Sequence, residues 1–382
     1  MKIGVTCYPS VGGSGIVATE LAIEMAKLGH EIHFISSSVP FRLSGNYSNI
    51  YVHTVEINDY NVFKYRPYDI TLASKIAEVI DVHQLDCIHM HYAIPHAVAG
   101  ILANQMSKRD VGIITTLHGT DITVLGHDRS LEPAIRFGIE KSDITTAVSY
   151  SLKKQTEEMI QPNKEIKTIY NFVDEKRFNR DNIEEVRSRM KQQLGIDEDS
   201  KVIVHSSNFR KIKNITTIVE AFKLVRESVK SDLVLVGDGP EMSVVYDLAR
   251  ELGVGNNVHL VGRQSDMTSF YKMSDLFMLL SLKESFGLAL LEAMNCGCVP
   301  IGSNAGGIVE VIQHEKTGFI VDPMDKESAA HYAIELMTNE TLYNEMREAM
   351  ITDVRNRFSE KEIVAQYEDL YRSTIKDNND DK

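Results

Sequence analysis

The residues best suited to chemistry lie in two stretches, and the first is the glycine-rich segment YPSVGGSGIVATELA at positions 8–22. Gly13, Gly15 and Ala18 follow the spacing G-x-G-x-x-G/A, directly after an apolar run. Glycines at this spacing allow the N-terminus of a helix to approach the phosphates of a nucleotide. The segment therefore predicts an anion-binding loop or, in the structural alternative, a tight turn that packs a strand on a helix.

The second stretch is LKESFGLALLEAMNCGCVPIGSNAGG at positions 282–307, which carries two carboxylates. Glu284 follows a predicted strand that ends at Ser281, and Glu292 lies two turns inside a helix predicted to start near Phe286. Gly287 leaves the first amides of that helix open to a diphosphate, while carboxylates accept hydrogen bonds from sugar hydroxyls. This stretch predicts a sugar-nucleotide site, and the alternative for Glu292 is a solvated charge on the helix surface.

A dinucleotide cofactor is the competing interpretation of the glycine loop. An NAD-binding loop is followed, about 20 residues later, by an acidic residue for the ribose. Here the second predicted strand ends in three serines at 36–38, with Arg42 beyond them. A phosphorylated nicotinamide cofactor stays open on those residues, but a nest of backbone amides is favoured and we predict no cofactor.

Histidines and cysteines raise the question of a metal site. His89 and His91 in HMHYAIPH share one face of a predicted strand. No cluster of carboxylates or cysteines accompanies them, so buried histidines are favoured and we predict no metal. The four cysteines match no zinc spacing and are predicted to be buried free thiols.

Composition limits the partners. The chain has 382 residues and a formal net charge of −13, from 41 Lys and Arg against 54 Asp and Glu. A negative field repels nucleic acids and anionic membranes, so neither is predicted as a partner. No apolar run reaches the roughly 18 residues of a membrane span, and the first residues predict a strand rather than a secretory signal. We expect a cytoplasmic protein, and homo-oligomer formation stays open.

Short apolar runs alternate with segments of helical period along nearly the whole chain, which predicts parallel sheets with helices on both faces. The expected fold class is α/β, with two doubly wound Rossmann-like domains facing across a cleft at the carboxyl ends of their strands. The first domain is predicted over 1–168 and the second over 169–360. The polar stretch QPNKEIKTIYNFVDEKRFNRDN contains the predicted linker, which ends near Phe178. A C-terminal helix at about 361–376 is expected to pack back on the first domain.

Eight further helices follow from the same periodicity. They are predicted over 17–28, 70–82, 94–107, 183–194, 214–228, 240–252, 286–294 and 306–313. Asn182, with Glu185 three residues later, predicts a capping box at the start of one of them. The tail DNNDDK is expected to be disordered.

Four motifs, in order, resemble the retaining glycosyltransferases of family 4, which have the GT-B fold. They are GGSGIVATELA, HGTD at 118–121, NFVD at 171–174 and ESFGLALLE with the spacing E-x7-E. The resemblance covers nearly the whole chain. It implies a metal-independent enzyme that transfers a sugar from a nucleotide donor with retention of configuration.

Three further stretches, HMHYAIPHAVAG, TLHGTDITVLG and SNFRKIKN, resemble members of this family that act in bacillithiol biosynthesis. That resemblance implies UDP-N-acetylglucosamine as the donor and L-malate as the acceptor. Two alternatives stay open, namely a non-hydrolysing UDP-N-acetylglucosamine epimerase and a UDP-sugar-binding protein without turnover.

The resemblance also assigns donor residues. It places Glu284 on the sugar hydroxyls and Glu292 on the ribose, with the backbone amides of Phe286, Gly287 and Leu288 on the sugar and phosphates.

Family members commonly bring an arginine and, five residues later, a lysine to the pyrophosphate. Lys213 fits the lysine, but Asn208 stands at the arginine position and Arg210 is displaced by two. Which of Arg210 and Lys213 carries more of the charge neutralisation is open. Arg263 is assigned to the uracil.

His118 follows a strand, a position that invites assignment as a general base. The resemblance instead links it to the donor sugar and implies that the leaving phosphate oxygen takes the acceptor proton; a structural histidine is the alternative. A dianionic acceptor needs fixed cations or N–H donors, and the resemblance assigns Arg136 to it from its spacing after HGTD. The other residues assigned to the acceptor are Gly13, Ser14, Lys64, Tyr92 and Thr120, and Gly13 is assigned to the donor as well. For Arg136 and Lys64 the alternative is surface solvation.

Overall fold

The apolar runs fold into parallel strands and the segments between them into helices, in a computed structural model that describes residues 1–9, 12–57 and 67–376. The chain divides into two units, Met1–Asn171 with Lys361–Lys382, and Phe172–Glu360. Each unit has its own parallel sheet and its own apolar core. The prediction of two doubly wound α/β units is confirmed.

The first unit contains a seven-stranded sheet. Its strands are β1 (Lys2–Thr6), β2 (Glu31–Ser36), β3 (Ile50–Thr54), β4 (Cys87–His91), β5 (Gly112–Leu117), β6 (Ile144–Ala147) and β7 (Ile166–Thr168). Their order in the sheet is β3-β2-β1-β4-β5-β6-β7. Ile3 of β1 pairs with Ile32 on one side and with Cys87 on the other. Because the chain reverses its direction of progress across the sheet at this point, a topological switch lies between β1 and β4.

Helices connect these strands, and one helix from the end of the chain joins them. They are α1 (Gly13–Lys27), α2 (Tyr68–His83), α3 (Val98–Met106), α4 (Thr120–Thr123), α5 (Glu132–Lys141), α6 (Tyr150–Met159) and the C-terminal helix (Glu360–Thr374). A π-helical turn covers Ala93–Ala97 and a 3-10 turn covers Leu125–His127. Tyr371 of the C-terminal helix is buried, and its hydroxyl lies 2.7 Å from His89 Nδ1.

The second unit contains a six-stranded parallel sheet. Its strands are β8 (Lys201–Asn208), β9 (Ser231–Asp238), β10 (Val258–Gly262), β11 (Leu276–Leu279), β12 (Val299–Ser303) and β13 (Phe319–Val321). Their order is β10-β9-β8-β11-β12-β13. The chain again moves outward to one side and then returns, so the switch point of this sheet lies between β8 and β11.

The second unit contains eight α-helices. They are α7 (Ile183–Leu194), α8 (Ile215–Ser228), α9 (Met242–Glu251), α10 (Thr268–Met273), α11 (Leu288–Asn295), α12 (Ile308–Val311), α13 (Lys326–Thr338) and α14 (Glu340–Arg357). The C-terminal helix is α15 in chain order. Short 3-10 turns cover Lys211–Lys213 and Gly255–Asn257.

Several predicted boundaries differ from the structure for local reasons. Helix α1 begins at Gly13 rather than at 17, because the glycine loop itself forms the first helical turn. Strand β3 was not predicted, since it lies at the sheet edge and none of its residues is fully buried. Strand β7 lies inside the stretch predicted as a linker.

The capping box predicted at Asn182 is wrong, although helix α7 itself is confirmed. Asn182 adopts a left-handed conformation with φ of 55°, and its side chain makes no capping hydrogen bond. An N-cap residue that accepts bonds from the first turn normally has extended backbone angles. The helix ends as predicted at Gly195, where φ is 68°.

The four cysteines are buried free thiols, as predicted. Burial raises the pKa of Cys7 to about 12, so this thiol stays protonated. No helix among the described residues combines the length and the apolar character that a membrane crossing requires. The DNNDDK tail lies outside the described residues.

Candidate active site

The candidate donor residues of the second unit follow the carboxyl ends of its strands. Asn208 is the last residue of β8, Arg263 follows β10, and Glu284 lies in the loop between β11 and α11. In a parallel sheet these ends share one edge, which is where doubly wound folds bind ligands. The topology therefore gathers residues that are up to 76 positions apart, counted from 208 to 284.

Lys213 and Glu284 meet at the switch point of this sheet. Lys213 follows β8 and Glu284 follows β11, and these two strands are adjacent. The Lys213 Nζ donates to Glu284 Oε2 at 2.6 Å, and the two side chains are only 19% and 17% exposed. The ion pair holds one cation and one carboxylate in defined positions at the edge that suits an anionic sugar ligand.

Glu292 lies inside the molecule rather than on a solvated helix face. It is 3% exposed and accepts a hydrogen bond from the Tyr271 hydroxyl at 3.3 Å. The Tyr271 hydroxyl also lies 2.8 Å from Ser206 Oγ. The alternative of a solvated surface charge is wrong, because the side chain is buried. The tyrosine hydroxyl is the kind of polar partner that a buried carboxylate needs.

The loop that carries Glu284 is backed by a pair of glycines to which the sequence analysis assigned no role. The Gly307 N–H donates to the Glu284 carbonyl at 2.9 Å. A Cβ on Gly306 would lie 2.0 Å from the Glu284 carbonyl oxygen, and one on Gly307 would lie 2.4 Å from that of Ser285. Only glycine permits this approach. The signal was present in the sequence as the AGG that closes the second stretch.

Gly287 forms the N-cap of α11, with φ of 96°. Phe286, just before it, is buried, whereas Leu288 begins the helix and is half-buried. The predicted start of this helix near 286 is therefore two residues early. The first amides of this helix follow Glu284 by only a few residues in sequence and can bind an anion.

The other donor candidates lie at the surface. Asn208 and Arg210 are exposed, and Arg210 lies one turn before Lys213. The Arg263 guanidinium is 70% exposed and lies 4.0 Å from the Asp238 carboxylate. Of the two basic candidates for the pyrophosphate, Lys213 is the one that the structure pairs with Glu284.

In the first unit, Tyr92 and Ser14 meet at the switch point between β1 and β4. The Tyr92 hydroxyl donates to Ser14 Oγ at 2.6 Å. Ser14 is the second residue of α1, after Gly13, and Tyr92 directly follows β4 with φ of 92°. Burial raises the pKa of Tyr92 to about 12, and hydrogen bonds with Ser14 and Thr120 oppose that shift. Four of the acceptor candidates, Gly13, Ser14, Tyr92 and Thr120, therefore lie at one edge of this sheet.

His118 is held by a neighbouring histidine. Its Nε2 lies 2.8 Å from His91 Nδ1, and His91 Nε2 is buried with no hydrogen-bond partner among the described residues. A buried unpaired N–H is rarer and costlier than an unpaired lone pair, so the His91 proton belongs on Nδ1. His91 then donates to His118, whose own proton lies on Nδ1.

Burial lowers the pKa of His118 to about 3, with a smaller contribution from His96. His118 is therefore a neutral imidazole near pH 7. It offers an N–H donor at Nδ1 and no positive charge.

Asp121, the last residue of HGTD, is a buried carboxylate to which the sequence analysis assigned no function. It accepts hydrogen bonds from the Ala93 N–H at 3.0 Å and from the Gly119 N–H at 3.1 Å. Asp121 thereby ties the loop after β4, which contains Tyr92, to the loop after β5, which contains His118.

Arg136, the predicted acceptor cation, has partners of its own. Its Nε donates to the Ile160 carbonyl at 2.9 Å, and its guanidinium pairs with Glu132 one turn earlier on α5. The side chain is 40% exposed. The structure thus brings Ser14, Tyr92 and Thr120 together but gives Arg136 different contacts, and Lys64 lies outside the described residues.

His89 and His91, the two histidines considered as metal ligands from the sequence, lie in the core of the first unit. His89 is buried between the Tyr371 hydroxyl and Thr116 Oγ1, each at 2.7 Å. The rings of His89 and His91 lie 4.1 Å apart. Both nitrogens of His89 are thus engaged by hydroxyl groups within the core.

Comparison with protein families gives two matches that together span most of the chain. Residues 11–177 match Glycosyltransferase Family 4, and residues 186–357 match Glycosyl transferases group 1. The chain is also 50% identical, over 383 residues, to the N-acetyl-alpha-D-glucosaminyl L-malate synthase of Bacillus anthracis. That match covers 100% of this chain and 99% of the relative.

Solved structures share the fold at low sequence identity. HepE of Anabaena, crystallised in complex with UDP and glucose, has a TM-score of 0.81 and 20% identity, and the match covers 98% of this chain and 100% of HepE. A sucrose-phosphate synthase from Thermosynechococcus elongatus has a TM-score of 0.80 and 18% identity, with 98% of both chains covered. At these identities the likeness establishes the fold.

Proposed function

Because the chain belongs to the family 4 glycosyltransferases of the GT-B fold, we propose that it transfers N-acetylglucosamine from UDP-N-acetylglucosamine to the hydroxyl of L-malate. The products are N-acetyl-alpha-D-glucosaminyl L-malate and UDP, in the first step of bacillithiol biosynthesis. The observation that carries the proposal is the 50% identity, over 100% of the chain, to a synthase of that name. The four free thiols are compatible with a reducing cytoplasm, which we propose as its location.

The donor is proposed to bind at the carboxyl edge of the second sheet. Lys213 and Arg210 would neutralise the pyrophosphate, and Glu284 would accept hydrogen bonds from the sugar hydroxyls. Glu292 is assigned to the ribose and Arg263 to the uracil. The 2.6 Å contact between Lys213 and Glu284 supports this assignment, because it puts a cation beside the carboxylate that is assigned to the sugar.

The acceptor is proposed to bind through the first unit. Tyr92, Ser14 and Thr120 supply hydroxyl groups, and the amides that follow Gly13 supply N–H donors. Arg136 is retained as the cation for malate, although it would have to exchange its Glu132 partner for a malate carboxylate. A bidentate guanidinium contact suits a carboxylate better than a lysine contact does.

We further propose a retaining reaction that requires no metal. The bond from sugar C1 to the UDP oxygen breaks on the face where the bond to the malate oxygen forms, and the malate hydroxyl proton passes to the leaving phosphate oxygen. Fixed cations and helix amides would stabilise the charge that develops on UDP. His118, as a neutral N–H donor, is assigned to a sugar oxygen rather than to proton abstraction.

The test is to incubate the protein with UDP-N-acetylglucosamine, with and without L-malate, and to measure UDP and the fate of the sugar. UDP release only when malate is present supports the transferase. Isomerised donor without malate would establish the epimerase instead, and tight UDP binding with no product under any acceptor would indicate a binding protein.

Two further measurements on the same reaction address its finer chemistry. The anomeric proton of the product, observed by NMR, should show the alpha configuration. Initial rates should survive EDTA, and a loss that Mg²⁺ restores would contradict the metal-independent mechanism.

A further inference from the structure

Three histidines lie close together in the first unit, at the side of its sheet formed by β2 and β3. His33 is on β2, His53 is on the edge strand β3, and His83 is the last residue of α2. Helix α2 ends only three residues before β4 begins at Cys87, so its carboxyl end lies near the amino ends of the strands. The Lys2 ammonium, on the first residue of β1, donates to the His83 carbonyl at 3.1 Å.

The pairing register places two of these histidines on one face of the sheet. His33 pairs with Tyr51, and Ile35 pairs with His53. Because side chains alternate along a strand, His33 and His53 project from the same face, two positions apart on neighbouring strands. The carboxyl end of α2 brings His83 onto this face, with its ring 4.5 Å from the His33 ring and 4.9 Å from the His53 ring.

The ligand atoms converge. One nitrogen from each of His33, His53 and His83 lies within 4.8 Å of the others, and this is the one group of three potential ligands among residues 1–9, 12–57 and 67–376. His33 is fully buried. Nitrogens bound to one tetrahedral zinc ion are about 3.3 Å apart, given a metal–nitrogen distance of about 2.0 Å. His53 and His83 are half-buried, and metal binding would require their side chains to rotate to that spacing.

Glu31 orients His33 as the outer carboxylate of a metal site orients a ligand. His33 Nε2 lies 2.8 Å from Glu31 Oε1, and His33 Nδ1 lies 2.9 Å from His53 Nε2. The carboxylate accepts a hydrogen bond from the Nε2–H of His33, so the proton stays on Nε2 and the Nδ1 lone pair points at the other histidines. A carboxylate–histidine–metal triad has this arrangement.

We propose that His33, His53 and His83 form a binding site for a zinc-class divalent cation, with Glu31 as the positioning carboxylate of His33. Imidazole nitrogens favour Zn²⁺ and its neighbours, whereas Mg²⁺ and Ca²⁺ favour oxygen ligands. On binding, the His53 proton moves from Nε2 to Nδ1, so no net charge is lost from the imidazoles. The ion would join the edge strand β3 to β2 and to the end of α2, as a structural site.

The electrostatic surroundings are compatible with such an ion. Burial is the main cause that lowers the pKa of His33, and burial lowers the pKa of His53 to about 4. Both imidazoles are therefore neutral near pH 7, the form in which histidine binds metals. Two lysines oppose the ion, namely Lys2, whose ammonium lies 3.7 Å from Glu31, and Lys75, whose charge acts on His53.

The experiment uses the full chain, stripped with EDTA and dialysed, and titrated with CoCl₂ and then ZnSO₄. We expect one equivalent of Co²⁺ to give visible absorption bands of a low-symmetry histidine site, and Zn²⁺ to abolish them. Calorimetry with ZnSO₄ should give one site per chain, and zinc should raise the melting temperature. Replacement of His53 or His83 by glutamine should weaken zinc binding at least about tenfold, and Glu31→Gln by about ten- to a hundredfold.

His331→Gln is the matched control, because His331 is an exposed histidine on α13 of the other unit. It should leave the zinc affinity unchanged. His33 is left intact since its buried side chain is the one whose replacement threatens folding, and circular dichroism verifies that each variant is folded. The proposal is overturned if the wild-type chain binds no Co²⁺ or Zn²⁺ stoichiometrically, or if His53→Gln and His83→Gln bind zinc as the wild type does. It does not depend on the proposed transferase reaction, whose readout is UDP release.

Discussion

At the scale of single residues, the carboxylates of the second unit differ in what holds them. Glu284 is paired with a lysine and partly open to solvent, at 17% exposure, while Glu292 is buried behind a tyrosine hydroxyl. The first arrangement suits a group that contacts a ligand and exchanges partners. The second suits a fixed hydrogen-bond acceptor whose position is set before the ligand binds. Replacement of the two residues should therefore affect ligand binding differently.

Glu284→Ala and Glu292→Ala are each expected to lower kcat/KM at least about tenfold, because a hydrogen bond to a charged group contributes about 1.5–3 kcal/mol. The two variants should differ in their affinity for UDP. Glu292→Ala should weaken UDP affinity, since it is assigned to the ribose, whereas Glu284→Ala should leave UDP affinity nearly unchanged. Calorimetry with UDP and steady-state kinetics provide both numbers.

Glu251→Ala serves as the control, since Glu251 is an exposed carboxylate at the end of α9. It should behave as the wild type. Full activity in both active-site variants, with circular dichroism unchanged, would refute the donor assignment.

At the scale of elements, close backbone contacts fix the loops that present the site. Gly237, with φ of 141°, brings the end of β9 so near to β8 that a Cβ would lie 1.9 Å from the Ser207 carbonyl oxygen. Gly306 and Gly307 likewise allow the backbone of the turn after β12 to approach the backbone of the loop after β11. In the first unit a buried carboxylate, Asp121, ties two loops together. Loop positions in both units therefore depend on contacts between segments distant in sequence.

Gly307→Ala tests this dependence. A Cβ at this position would lie 2.4 Å from the Ser285 carbonyl oxygen and 2.7 Å from Phe286 Cα, both of them backbone atoms that cannot rotate away. Overpacking of this kind typically costs about 1–3 kcal/mol. The loop with Glu284 must shift, so we expect at least about a tenfold loss of kcat/KM together with a lower melting temperature.

Gly255→Ala is the matched change in the same unit, because the nearest atom to its Cβ would be a flexible Arg250 methylene at 3.4 Å. Its kinetics should equal those of the wild type. Unchanged kinetics in Gly307→Ala would show that the glycine pair does not position the loop.

At the scale of the whole molecule, an acidic chain buries several of its histidines. Six of its 13 histidines are buried, namely His30, His33, His89, His91, His96 and His205. Burial lowers the pKa of His89 to about 3, and those of His96 and His205 to about 4. These side chains are thus neutral in the folded protein over a range in which an unfolded chain protonates them.

Stability is therefore expected to fall as the pH drops below about 6.5, the ordinary pKa of an unfolded histidine. Below that pH the unfolded chain binds more protons than the folded one, and the loss continues until the folded pKa is reached. At pH 5.5 each of His89, His96 and His205 should cost about 1 kcal/mol. Asp121 has a smaller effect in the opposite direction. Burial raises its pKa to about 6, so as the pH falls it binds a proton in the folded protein before it does in the unfolded chain, and this favours the folded form.

Urea denaturation at pH 7.5 and 5.5 measures the effect, as a lower midpoint at pH 5.5. His205→Gln should reduce the pH dependence, and the exposed His331→Gln should not. A midpoint that is equal or higher at pH 5.5 would contradict the expectation.

The sequence by itself determined the class of fold, the motifs and their order along the chain. Apolar periodicity is a property of contiguous residues, so α7 and the strand and helix on either side of Glu284 could be read from it, as could the family resemblance. Strand β3 could not be predicted because an edge strand buries few of its side chains. Strand β7 could not be predicted because its three residues, inside a polar stretch, show no periodicity.

Only the tertiary structure decided which side chains meet. Lys213 and Glu284 are 71 positions apart, and nothing local in either segment specifies their 2.6 Å contact, which depends on β8 and β11 lying side by side. The same holds for Arg136, whose partners on its own helix and at Ile160 could not be inferred from its spacing after HGTD. The order of strands in a sheet brings distant residues together, and that order is set by packing of the whole unit rather than by any one segment.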